Sequence, residues 1–144
     1  MAKKVTTIGW REVISLPQLE IPRIKAKIDT GARSSALHAF HIHKFEQNGL
    51  EMVSFEVHPH QRDTHLTINT TAELLGYKEV KNSGGQVQNR PVIQTTIELN
   101  GQKWKIELTL TNRDLMGFRM LLGRQAVRGR FLVNPGRSFL LSKS

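Results

Sequence analysis

Asp29-Thr30-Gly31-Ala32, reached through Arg23-Ile24-Lys25-Ala26-Lys27-Ile28 and echoed far downstream by Met120-Leu121-Leu122-Gly123-Arg124, is the stretch on which the reading of this chain turns. A strand that ends in Asp-Thr-Gly delivers one carboxylate on a tight turn. A second strand that ends in two aliphatics and a glycine can pack beneath that turn.

Such a carboxylate suits the hydrolysis of an amide, provided it has a partner. Two aspartates held close together cannot both ionise cheaply, so they share a proton; one activates water while the other polarises the scissile carbonyl. This chain has no second Asp-Thr-Gly or Asp-Ser-Gly, and neither Asp63 nor Asp114 is followed by the glycine that closes such a turn. If Asp29 is catalytic, its partner comes from another copy of the chain. A two-fold homodimer supplies it, because the symmetry brings the same turn from both subunits to the axis.

At 144 residues and 38% hydrophobic, the chain suits a single domain over residues 1–144 with one core. No stretch is long and apolar enough to span a bilayer, and the start lacks the apolar segment of a signal peptide, so the expected location is cytoplasmic. With no cysteine, disulfides, zinc-thiolate sites and thiol nucleophiles are excluded. The excess of 21 Lys+Arg over 12 Asp+Glu, a net +9, points to a polyanionic partner. The charge is spread, with Lys3, Lys4, Arg11, Arg23, Lys25, Lys27 and Arg33 leading in and six arginines from Arg113 to Arg137 crowding the last third.

The chain reads as short strands and turns. Ile97–Leu110 alternates apolar and polar residues on both sides of Asn100-Gly101, the strongest short signal for a two-residue hairpin. Asn48-Gly49 separates Phe40–Gln47 from Leu50–His58 in the same way, and predicts another hairpin. Two short helical pieces are expected, around Thr71–Leu75 and at Arg124–Val127, neither with sustained helical periodicity. The fold class is all-β, a barrel. Ser83-Gly84-Gly85-Gln86-Val87 adds paired glycines between strand-like arms, which let a loop tip bend over a ligand as a mobile flap does or simply form a surface turn.

The order of these parts resembles the retropepsin layout. More closely, the chain resembles the bacterial and archaeal RimK-associated, RimB-like retropepsin-like proteins long labelled ATP-dependent zinc proteases. The words that carry the match are Ile8-Gly9-Trp10-Arg11-Glu12, Ala26–Ala39 around Asp29, Asn89-Arg90-Pro91-Val92-Ile93 and Leu121-Leu122-Gly123-Arg124. The likeness covers nearly the whole chain and is weakest between Gln61 and Lys81.

That resemblance implies an acid-protease fold, a six-stranded closed barrel, acting as a homodimeric aspartic endopeptidase-like hydrolase. Asp29 is then the catalytic carboxylate, Thr30 stiffens the two turns through its hydroxyl, and Gly31 leaves room for the approach. Gly84, Gly85 and Gln86 become the flap that closes over substrate. Where viral retropepsins commonly carry acidic residues after Asp-Thr-Gly-Ala, this chain has Arg33, which can grip a carboxylate two-pronged or favour the charged form of a neighbouring acid. Arg33 and Arg124 are therefore expected to recognise acidic side chains or to form a structural ion pair. The family's association with ATP-grasp glutamate ligases implies a functional link to such an enzyme and a glutamate-rich peptide or protein as substrate.

Neither cofactor of the family's old label finds a motif. No Gly-x-x-x-x-Gly-Lys-Ser/Thr loop is present to support ATP binding. His38, His41, His43, His58, His60 and His65 fall within a short span, but there is no His-Glu-x-x-His, and His41 and His43 alternate with Phe40 and Ile42 as solvated strand residues do. No metal ligand is assigned. The rival readings are a non-catalytic basic module that binds nucleic acid or the ribosome through Arg128-Gly129-Arg130 and Arg137, a zinc-dependent protease, and a barrel kept as a dimeric scaffold. Few aromatics, at 6%, and the lack of a helix-turn-helix weigh against the first.

Overall fold

A computed structural model describes residues 5–61, 63–82 and 84–143; Lys3, Lys4 and Ser83 lie outside them. The elements are β1 (Thr6–Gly9), β2 (Arg11–Leu16), β3 (Ile21–Asp29), β4 (Ser35–His38), β5 (Phe40–Gln47), β6 (Leu50–Val57), β7 (Ile68–Glu73), β8 (Gly76–Lys81), β9 (Val87–Leu99), β10 (Gln102–Thr111), β11 (Met120–Gly123), α1 (Arg124–Val127) and β12 (Phe131–Asn134). The all-β class holds. Both Asn-Gly hairpins form as read, with Asn48 and Asn100 at φ of 53° and 51° followed by glycines at 80° and 79°, the left-handed pair such turns require.

The main sheet runs β10-β4-β11-β3-β2-β9-β8, and an additional β9–β10 pairing returns it on itself. Six strands thus form a ring, with β8 hanging from β9 outside it. The join between β2 and β9 is a single register pair, Ser15 with Glu98. Alternation in β3 sends Ile24, Ala26 and Ile28 to the inside of the ring and leaves Lys25, Lys27 and Asp29 half-buried on the outer face. Ile14, Leu16, Leu37, Ile93, Ile97, Leu108, Met120 and Leu122 fill the interior. A separate sheet, β5-β6-β7, covers it with Val53, Phe55 and Val57.

The helix expected around Thr71–Leu75 is corrected: Ile68–Glu73 is a strand that pairs antiparallel with β6, Thr71 opposite Ser54. Its β-branched threonines favour the pleated form, and a helix there would leave the free edge of β6 unpaired. The helix at Arg124–Val127 forms with those bounds. Trp104 anchors it by donating its indole N–H to the carbonyl of Ala126 at 3.0 Å, while its ring packs against Phe131.

Glu12 alternates inward with Ile14 and Leu16 and is fully enclosed. An ionised group survives there only if donors replace water. Its carboxylate accepts from the backbone N–H of Gly9 at 2.7 Å, Leu140 at 2.8 Å and Leu141 at 3.1 Å, and from the Ser142 hydroxyl at 2.6 Å. The C-terminal segment is thereby fastened to β2. Gly9 completes the clamp, since a Cβ there would stand 2.5 Å from the carbonyl of Arg137. No helix among the described residues is long and apolar enough to cross a membrane.

Candidate active site

Asp29 stands at the end of β3, and the neighbouring strand explains why it can be held there. β11 runs parallel to β3 in register, Leu122 beside Ile28 and Gly123 beside Asp29. Parallel neighbours end together, so the turn after Asp29 and the corner after Gly123 meet. Gly123 has an ordinary φ of −85°, but a Cβ on it would lie 2.4 Å from the carbonyl oxygen of Ser34. Close approach of two backbones is what excludes any side chain.

The corner then braces the turn at four points. Arg124 N–H donates to the Ala32 carbonyl at 2.7 Å and Gln125 N–H to that of Arg33 at 3.1 Å. Gly123 N–H donates to the Ser35 hydroxyl at 3.0 Å, and the Arg124 guanidinium donates to the Thr30 carbonyl at 2.9 Å. Arg124 is thus spent on a backbone carbonyl, and it forms no ion pair among the described residues.

Within the turn the Asp29 Oδ1 accepts the N–H of Gly31 at 3.0 Å and of Ala32 at 3.2 Å. Gly31 sits close enough that a Cβ would be 3.2 Å from that same oxygen. The Oδ2 atom has no hydrogen-bond partner among the described residues, and the residue is half-buried. One oxygen is therefore anchored and the other is presented. Thr30 is exposed at the apex, while Asp63 is engaged by His65 and Asp114 by the Gly117 N–H.

A cleft of about 630 Å³ opens beside the turn, bordered on one side by Gly31, Ala32 and Arg33 and on the other by Lys78–Lys81 of β8. Arg90 of β9 lines it as well. Burial, helped by the nearby charge of Arg113, pulls the Arg90 guanidinium below its usual pKa. A second cleft of about 420 Å³ shares Ser34, Lys78 and Thr109 with the first and continues to Lys105 and Arg128.

Gly84, Gly85 and Gln86 form the tip of the β8–β9 hairpin. Asn82 organises the tip, accepting Gln86 N–H on its side chain at 2.9 Å and Gly85 N–H on its carbonyl at 3.0 Å, and Gly85 takes a φ of 84° that a side chain would resist. The strand below the tip, not the tip itself, borders the cleft with the Asp29 turn. Arg33 lines that cleft and Arg124 does not. Lys78 and Arg90 were missed as binding residues by sequence reasoning, because only the hairpin register brings them opposite the turn.

The histidines divide rather than gather. His41 bonds Glu56 at 2.7 Å, His65 bonds Asp63 at 2.6 Å, and no three His, Asp or Glu side chains among the described residues come together as a metal site. These donors do not fit a zinc ion. His38 is enclosed: its Nε2–H donates to the Asn112 carbonyl at 3.1 Å, and its Nδ1 accepts from Arg119 at 3.2 Å. Burial above all, and then the Arg119 charge, lower its pKa from 6.5 and keep it neutral.

Comparison with known proteins gives the family of the chain. The model of the RimB-like family, described as retropepsin-like aspartic endopeptidase RimB, matches residues 7–144. Proteins named probable alpha-L-glutamate ligase are 43% identical in Shewanella halifaxensis over 94% of this chain, 47% identical in Desulfotalea psychrophila over 94%, and 46% identical in Parasynechococcus marenigrum over 98%. The chain spans only about 30% of the length of those relatives. The crystal structure of a protein of unknown function (DUF785) from Legionella pneumophila superposes with a TM-score of 0.76 at 28% identity, covering 96% of this chain and 99% of that one. The chain belongs to the RimB-like family of retropepsin-like proteins.

Proposed function

We propose that this chain is a single-domain aspartic peptidase of the cytoplasm, its ring of strands the closed barrel of the retropepsin fold, which hydrolyses peptide bonds in glutamate-rich tails. The observation that carries the reading is the Asp29 carboxylate, with one oxygen fixed by two backbone N–H groups and the other without a partner among the described residues. A group so oriented loses little freedom on reaching its transition-state geometry.

One such carboxylate is half a catalyst. A second copy of the chain brings its own Asp29 across a two-fold axis, and the pair shares one proton because two adjacent charges repel. The unprotonated member draws a proton from water as its oxygen adds to the scissile carbonyl carbon. The protonated member donates a hydrogen bond to the carbonyl oxygen as charge develops there. Collapse of the tetrahedral intermediate breaks the C–N bond, and the amine leaves with a proton from the dyad. Thr30, at the exposed apex, stiffens the paired turns, and Gly31 admits the close approach.

The substrate class follows from charge and from the relatives. Arg33, Lys78, Lys81 and Arg90 border the cleft against Glu79 alone, which favours an acidic chain. The glutamate ligases carry a segment like this chain within one longer polypeptide, and a ligase that joins glutamates has a natural counterpart in an enzyme that removes them. Incubation of the protein with glutamate-tailed peptides tests the reading: cleavage is expected to survive a chelator and to disappear in Asp29→Asn. Cleavage that persists in Asp29→Asn and stops on chelation would overturn it in favour of a metalloenzyme.

A further inference from the structure

A guanidinium taken out of water normally meets a carboxylate, because an unpaired charge loses its hydration without return. Arg90 is 9% exposed and has no acidic partner among the described residues. Its Nε donates to the Gln88 side-chain oxygen at 2.8 Å, and that oxygen is held in turn by the Thr111 hydroxyl at 2.8 Å. The two terminal nitrogens have no hydrogen-bond partner among the described residues. Since among the described residues no buried side-chain nitrogen goes without a partner, these two open onto the cleft that Arg90 lines.

Directly across the β8–β9 ladder from Arg90 stands Lys78. Like charges placed opposite one another weaken an antiparallel pair, so this register costs stability in the empty protein. Glu79 borders the same cleft, but its register partner is Asn89 and it forms no ion pair with Lys78 or Arg90 among the described residues. Two cations are therefore held together at the wall facing the Asp29 turn, one of them with its fork fixed by Gln88 and its ends free.

We propose that Lys78 and Arg90 form a carboxylate subsite that reads an acidic side chain of the substrate, Arg90 gripping it with its two terminal nitrogens and Lys78 adding the second charge. The subsite rests on the peptidase reading above and makes the β8–β9 hairpin its specificity element. A guanidinium matches the two oxygens of a carboxylate as an ammonium does not, so Arg90→Lys is expected to be an incomplete substitute.

The test uses Asp29→Asn protein, which binds without turnover, titrated with tetraglutamate, tetraglutamine and inorganic phosphate while its melting temperature is followed. Tetraglutamate is expected to raise the melting temperature, tetraglutamine and phosphate to leave it nearly unchanged. Arg90→Gln in this background is expected to weaken tetraglutamate binding by about tenfold or more, as loss of a charged hydrogen-bonding partner does. Lys78→Gln is expected to weaken it several-fold while the empty variant melts no lower than its parent, a pairing of effects that a purely structural lysine would not produce. Equal tetraglutamate binding by a folded Arg90→Gln protein, or protection by phosphate as strong as by the peptide, would overturn the subsite. If the wild-type protein cleaves no acidic peptide yet binding still depends on Arg90, the subsite stands and the peptidase reading falls.

Discussion

Asp29 and Glu12 lie near the same end of the antiparallel pair β3 and β2, Glu12 standing opposite Ala26, and the chain treats their carboxylates in opposite ways. Glu12 is sealed in, with both oxygens taken by donors that fasten the C-terminal segment. Among the described residues Asp29 has donors on one oxygen only, and its other oxygen is left open. A saturated carboxylate has nothing left with which to do chemistry, so its contribution is stability. A half-saturated one, anchored through one oxygen by backbone N–H groups, is oriented and keeps the other oxygen available.

The sharpest way to break that contrast is to exchange each acid for its neutral isostere. Asp29→Asn keeps an oxygen for the Gly31 and Ala32 N–H groups, so turnover is expected to fall by about 10²–10⁴-fold with little change in melting temperature. Glu12→Gln is expected to do the reverse, lowering unfolding free energy by about 3 kcal/mol in urea titrations while leaving turnover per folded molecule intact. Similar melting losses in both variants would erase the distinction.

Gly123→Ala probes the brace itself. Its new methyl group meets the Ser34 backbone, which cannot swing aside as a side chain would. Overpacking of this kind costs about 1–3 kcal/mol, and because the displaced backbone carries the Asp29 turn, activity is expected to fall further than stability. An unchanged specific activity would show that the turn does not need its corner.

The smallest expected effect is tied to pH. His38, on the strand that continues from the turn, is buried neutral between Asn112 and Arg119, with its folded pKa below 6.5. The unfolded chain then binds the proton more readily, so this histidine's contribution is complete above about pH 6.5 and is lost as the pH falls through its folded value. Denaturation midpoints are expected to decline on acidification below pH 6.5, with a shallower decline in His38→Asn. Identical slopes in both proteins would mean that His38 titrates alike folded and unfolded.

Much of this molecule was legible in its residues. The Asn-Gly pairs located two hairpins, because left-handed backbone at consecutive positions is a local demand that few residue pairs meet. Arg124–Val127 was placed as a helix from the glycine before it. The segment around Thr71–Leu75 was not readable as a strand, since β7 and β8 each bury one modest face and owe their form to pairing with β6 and β9. Lys78 and Arg90 carry no binding signal in the sequence, and eleven residues lie between them.

Sequence alone determined the all-β class, the turn that carries Asp29 and the glycine that must lie against it, because each depends on conformations or contacts that only certain residues permit. Only the tertiary structure decided which carboxylate is enclosed and which presented, and which cations share a cleft. Those outcomes depend on the register between distant strands, which sets the donors and charges around each group and leaves no mark on the order of residues.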